Sequence, residues 1–241
     1  MSLSRQNAEK ITKCFLCNYP AGLRPAYVFR EDTRTLYGDR SNDVPDGMKG
    51  GFNPIWFWHN GVLYQGQVHV PLKNIIDADD MFVTLRHEVL GHYGINTFTP
   101  PEKRALLDAL MAWRAEPGLR SLWDHVNMHY AEAAADIRAE EVWAFYCGSL
   151  LPEHHARQDI RRLGAHAFIE TCVARMRPMR ISDLHHIACM VAEGLHDCSR
   201  RQQSFPALNR AFRQANEISP SNPIHALMAE EHQDHDDPRP S

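Results

Sequence analysis

The residues best able to do chemistry in this chain lie in one short run, His87-Glu88-Val89-Leu90-Gly91-His92-Tyr93-Gly94. Two imidazoles and a carboxylate so close together can hold a divalent metal, and a glutamate beside a ligand can serve as general base. The spacing sets a geometric condition. A regular α-helix turns about 100° per residue, so residues five apart stand about 140° apart around its axis. His87 and His92 cannot share a cation on such a helix. The helix must absorb one extra residue, as a π-bulge does, and Gly91 stands where that distortion meets least hindrance.

The run resembles the zincin signature H-E-x-x-H with one residue inserted, H-E-x-x-G-H. That longer form is similar to the motif of the dipeptidyl peptidase III family of zinc peptidases. Zincin-like domains of phage and plasmid polyvalent proteins resemble it more closely, from His87 to Gly94 position for position. The first resemblance is confined to the motifs; the second extends over about Gly51 to Cys147. It implies a zincin-like α+β fold, in which Leu63-Tyr64 and Val68-His69-Val70 form the edge strand beside the active-site helix.

The resemblance also implies a third protein ligand, a carboxylate on a following helix, which leaves one position open. The segment Glu132 to Ala144 is the donor expected. Laid on the dipeptidyl peptidase III pattern E-E-C-R-A-E, Ala135-Asp136-Ile137-Arg138-Ala139-Glu140 places Asp136 as ligand. The simpler pattern E-x-x-A fits Glu141-Val142-Trp143-Ala144 and keeps a glutamate. The order of preference is Glu141, then Asp136, then Glu140. Neighbours on a helix point about 100° apart, so Glu140 and Glu141 cannot both face one metal, and the other can orient a ligand histidine.

A zinc-dependent, gluzincin-like metallopeptidase follows as the expected function. Zn²⁺ on His87, His92 and Glu141 would activate a water, with Glu88 as general base. The partner would be a peptide or protein lying extended along the edge strand, near Gln65, Gln67 and His69. Tyr93, His125, His129, Tyr130 and Tyr146 are open candidates for the electrophilic partner. Two alternatives stay beside this one. One is a non-catalytic zincin-derived module of a mobile element, serving anti-defence or binding. The other is a helical binding protein, with nucleic acid as its candidate ligand, using the arginines of the C-terminal half.

The elements that must position these groups are legible in part. Residues 1–25 read as an N-terminal arm, with a helix over Gln6–Phe15 broken near Tyr19-Pro20-Ala21-Gly22. Ala26–Phe29 reads as a strand, Asp43–Phe52 as a loop, and Asn60-Gly61 as a hairpin turn between Trp56-Phe57-Trp58 and Val62-Leu63-Tyr64. Met81, Phe82, Leu85, Val89 and Leu90 recur at helical spacing from Ala78 onward. A helix from Pro100 is expected to stop at Glu116-Pro117-Gly118. Further helices are expected near Leu122–His129, Ala131–Cys147, Asp159–Met176 and Asp183–Leu195, with a shorter one over Pro206–Asn216. The expected division is 26–150 for the zincin-like domain, 151–217 for a helical extension and 218–241 for a largely disordered tail.

Composition sets the outer bounds. The 241 residues carry a net charge of −4, which argues against a broadly basic nucleic-acid binder. Arg175, Arg177, Arg180, Arg200 and Arg201 are expected to be solvated surface. Fifteen histidines raise the expectation of metal chemistry. Six scattered cysteines do not read as a disulfide framework, and Cys14-Phe15-Leu16-Cys17 is expected to be a reduced pair. No segment reads as a signal peptide or a bilayer span, so a cytoplasmic location is expected.

Overall fold

The computed structural model describes residues 3–19, 23–44 and 47–203. Helix α1 (Arg5–Leu16) is capped by Ser4, whose side chain accepts from the Asn7 amide. Strand β1 (Ala26–Arg30), helix α2 (Thr33–Tyr37) and a 3₁₀ turn (Gly38–Asp43) follow. Strands β2 (Gly51–His59) and β3 (Val62–Pro71) form a hairpin. Its turn rests on Asn60 at φ 47° and Gly61 at φ 74°, the left-handed pair that the Asn-Gly dipeptide favours.

The rest is helical: α3 (Ala78–Leu85), a π-helix (Arg86–Tyr93) continuing from it, α4 (Pro100–Ala112), α5 (Pro117–His129), α6 (Ala135–Gly148), α7 (Gln158–Ala174) and α8 (Ile181–His196). The class is α+β, a small three-stranded sheet followed by a mostly helical remainder. No helix among the described residues is long and apolar enough to cross a membrane. The helix expected at Pro206–Asn216 and the tail expected at 218–241 lie outside the described residues.

The sheet runs in the order β1-β3-β2, with β1 parallel and β2 antiparallel to β3. This corrects the expected role of β3. It is the central strand, and its last six residues are buried because neighbours cover both sides and both faces. The edge beside the π-helix belongs to the start of β2. Val68 and Val70 join one apolar cluster with Ala8 and Phe15 of α1 and Met81, Leu85 and Val89 below them. On the other face, His69 Nε2 lies 2.8 Å from Gln67 Oε1, and its Nδ1 lies 3.3 Å from the Tyr37 hydroxyl. Those two polar side chains are satisfied inside the fold and do not line an open cleft.

The second and larger cluster joins the π-helix to α4 through α8, with Leu90, Leu106, Leu110, Trp143, Ile160 and Ile187 fully inside. Two helix starts differ from the periodicity. Pro117 begins α5 rather than ending α4, because proline at the first helical position loses no needed hydrogen bond. Helix α6 starts at Ala135, four residues later than expected, after a turn in which the Ala133 amide donates to the Tyr130 carbonyl. All six cysteines are free, and Cys14 and Cys17 are exposed.

Candidate metal centre

The i,i+5 spacing of the two histidines is met by a continuous π-helix from Arg86 to Tyr93. In i→i+5 winding the fifth residue returns over the first. The His87 and His92 rings accordingly stand side by side, centroids 5.1 Å apart. Helix α6 is fastened across this segment at two points. The Trp143 indole donates to the Gly91 carbonyl at 3.1 Å, and Arg86 Nε donates to the Gly148 carbonyl at 2.9 Å. Gly91 is required there by contact, since a Cβ on it would stand 2.6 Å from Ala144 Cα.

That docking decides which carboxylate enters. Glu141, one turn before Ala144, faces both imidazoles. Its Oε2 lies 3.5 Å from His87 Nε2, and its Oε1 lies 3.6 Å from His92 Nε2. Glu140 lies on the far side of His92, with Oε1 3.3 Å from Nδ1, and its other oxygen is held by Lys103 Nζ at 2.9 Å. Asp136 is not brought to the site. It is exposed and paired with Arg104 at 2.8 Å. Glu88 is buried, with Oε1 3.9 Å from His87 Nε2. Ligand atoms of His87, Glu88 and His92 lie within 4.8 Å of one another, the one such group found among the described residues.

These residues fit a divalent cation. Bonds of about 2.0–2.1 Å in a tetrahedral nitrogen and oxygen site put neighbouring ligand atoms about 3.3 Å apart, close to the two Glu141 distances. The Oε2 atoms of Glu88 and Glu141 are buried with no hydrogen-bond partner. A buried carboxylate oxygen left unpaired is costly, and a cation between the two histidines and Glu141 would satisfy the Glu141 oxygen. The contact from His92 Nδ1 to Glu140 is the carboxylate–histidine pairing that orients a ligand ring.

The electrostatics of the protein groups agree. Burial pushes the Glu88 carboxyl up, against the pull of His87 and His92 and with help from Glu141. Burial works to lower His92, but Glu140, Glu88 and Glu141 overcome it and raise the imidazole to about 9. Burial would raise Glu140, yet His92 and Lys103 draw it down to about 2.

Of the candidate electrophiles, Tyr130 lies nearest the carboxylates. Burial raises its phenol, and the charges of Glu141 and Glu88 add to this. His125 packs on Phe145, whose other neighbour is His87, with ring centroids 4.6 and 4.7 Å apart. Tyr146 bonds instead to His185 Nδ1 at 2.9 Å, and Tyr93 is buried in the core. Three contributors carry no signal in the sequence: Lys103 behind Glu140, Tyr37 facing Glu88 from α2, and Gly50. A Cβ on Gly50 would stand 2.6 Å from Glu88 Oε1, so only glycine lets the chain entering β2 pass over that carboxylate.

A relative shares half of the sequence. DNA primase TraC from Escherichia coli is 50% identical over 231 residues, covering 95% of this chain and 16% of the relative. The chain thus spans about a sixth of the length of the curated relative it matches. No family model and no solved structure matches the chain.

This finding overturns the zincin metallopeptidase reading. A protein half identical over nearly the whole chain bears the name of a DNA primase, not of a peptidase. Peptide-bond hydrolysis and a peptide or protein partner are therefore withdrawn, and so is the ranking of nucleic acid as the less favoured partner. The non-catalytic module of a mobile element, offered for anti-defence or for protein or nucleic-acid binding, fits this relative only loosely. The physical reason is plain: H-E-x-x-G-H specifies how a helix must wind to bring two imidazoles together, and it carries no information about the substrate.

Proposed function

We propose that this chain is a zinc-holding module of a DNA-priming protein and that its macromolecular partner is nucleic acid. The observation that carries the reading is the half-identity to a DNA primase over 95% of the chain. In this reading His87, His92 and Glu141 are the ligands, and Glu140 with Lys103 fixes the His92 ring. Two imidazoles and a carboxylate suit zinc, whereas magnesium prefers oxygen donors and keeps most of its waters. Nucleotidyl transfer ordinarily relies on magnesium held by carboxylates. The centre built on His87 and His92 is thus distinct in kind from a nucleotide-polymerising centre, and this module works beside one.

Zinc held by His87, His92 and Glu141 would supply Lewis acidity. The chain's own residues supply the rest. Glu88, whose Oε1 lies 3.9 Å from His87 Nε2, can take a proton at Oε2 from a group presented in the site. Burial, the main cause, raises that carboxyl above its ordinary range and so favours its holding a proton. Tyr130 presents a protonated phenol to the same carboxylates.

The test is metal content together with oligonucleotide binding. Elemental analysis of the purified chain should find about one zinc. Fluorescence anisotropy should find binding to single-stranded DNA that weakens steeply with salt. A chain that takes up no zinc at micromolar supply would end the metal assignment. Absence of binding to any oligonucleotide at low salt would end the nucleic-acid assignment.

A further inference from the structure

The β2–β3 hairpin projects past the sheet that supports it. Strand β1 pairs with β3 only from Gln67 to Pro71, and the last backbone bond along that side is from the Gln65 amide to the Arg24 carbonyl, 2.7 Å. Beyond Gln65 the hairpin continues as a two-stranded ribbon through the pairs Trp56–Gln65, Phe57–Tyr64, Trp58–Leu63 and His59–Val62. Isolated two-stranded ribbons are marginal in water. This one is held by the Phe57–Tyr64 ring pair, stacked with centroids 5.3 Å apart and planes 14° from parallel. Side chains alternate across a strand, so Trp56 and Trp58 occupy the opposite face. Trp58 is 70% exposed, so its ring is open to a stacking partner.

The ribbon's own sequence carries nothing that would repel an anion. From Gly47 to Ile76 the chain carries no Asp or Glu, although it holds 30 elsewhere. His59 lies at the tip of the ribbon, and Arg24 stands exposed at its base with no ion pair among the described residues. An acid-free ribbon with flat aromatic rings and a cation at its root suits a chain of bases on an anionic backbone. Stacking on aromatic rings requires unpaired bases and tolerates any sequence.

We infer that the projecting ribbon is a single-strand nucleic-acid platform, with Trp58 stacking on a base and Arg24 meeting the phosphate backbone. This rests on the nucleic-acid reading above and gives it a location away from the metal centre.

The probe is a labelled oligothymidylate of about 16 nucleotides, the upper site size of such platforms. It is titrated against the whole chain, reading label anisotropy and tryptophan fluorescence together. Binding should quench tryptophan emission. Trp58→Ala should weaken binding about tenfold, and Trp58→Phe should restore most of it. Arg24→Ala should weaken binding less and should flatten its salt dependence. Because Trp58 is exposed, circular dichroism and Tm should be unchanged in all three variants. Undiminished binding by Trp58→Ala would overturn the ribbon assignment and leave the nucleic-acid reading intact. No binding by the unmodified chain would overturn both. Loss of self-association in Trp58→Ala with unchanged oligonucleotide binding would assign the ribbon to a second copy of the chain instead.

Discussion

Gly91 of the π-helix lies against Ala144 of α6 with no room for a side chain between them, since a Cβ on Gly91 would come 2.6 Å from Ala144 Cα. This contact fixes the depth and rotation of α6 over the two histidines, and with them the place of Glu141. Gly91→Ala forces a methyl group against the backbone of Ala144. It should cost about 1–3 kcal/mol of stability. It should also weaken zinc binding by about tenfold or more, as Glu141 is pushed back. Chemical denaturation and a competitive zinc titration measure the two effects separately.

The three acidic candidates on α6 should separate cleanly in zinc affinity. Glu141→Ala removes a ligand and should cost about 100-fold or more, as should His87→Ala and His92→Ala. Glu140→Ala removes the partner of His92 Nδ1 and should cost about 10–100-fold. Asp136→Ala breaks only an exposed pair with Arg104 and should leave affinity unchanged. Equal losses for Glu141→Ala and Asp136→Ala would mean that α6 presents a different face.

Glu88→Gln should stabilise the metal-stripped protein while leaving zinc stoichiometry intact. Glu88 is buried, and its Oε2 has no hydrogen-bond partner. The neutral amide avoids that charge burial and can donate toward Glu141, for a gain of about 1–3 kcal/mol. The sign with pH is defined. The folded carboxyl is raised above its ordinary 4.5, so the folded state holds its proton more tightly than the unfolded chain. The wild type therefore loses ground to Glu88→Gln as pH climbs above 4.5, and thermal melts in chelator should show the gap widening.

His69 should make the fold acid-sensitive. Burial, with the charge of Arg30 adding to it, pushes the imidazole down from 6.5 to about 4. The unfolded chain therefore takes up a proton before the folded one does. Stability is fully present above pH 6.5 and is lost as pH falls from there to about 4, by about 3 kcal/mol in all. His69→Gln should flatten that stretch of the profile in urea unfolding.

Several features were legible without coordinates because they depend on local geometry. The distortion of the helix at Gly91 follows from two histidines five residues apart and the angular step of an α-helix. The tight turn follows from Asn60-Gly61, and the inward face of α3 follows from the spacing of Met81, Leu85 and Val89. Which carboxylate faces the two histidines was only partly legible. Glu141 and Asp136 each suited a local pattern, and a rotation of α6 by about 140° about its own axis exchanges them.

The sequence by itself determined that His87, Glu88 and His92 must share one distorted helix, because backbone winding is a property of consecutive residues. It left the substrate open, because ligand spacing describes a cation and not what the cation acts on. Tertiary structure alone decided that β3 is central, that Gly50 passes over Glu88, and that Glu141 faces in while Glu140 turns to His92 Nδ1. Those outcomes depend on how closely two surfaces distant in the chain can approach, and here that distance is set by the missing side chain of Gly91 against Ala144.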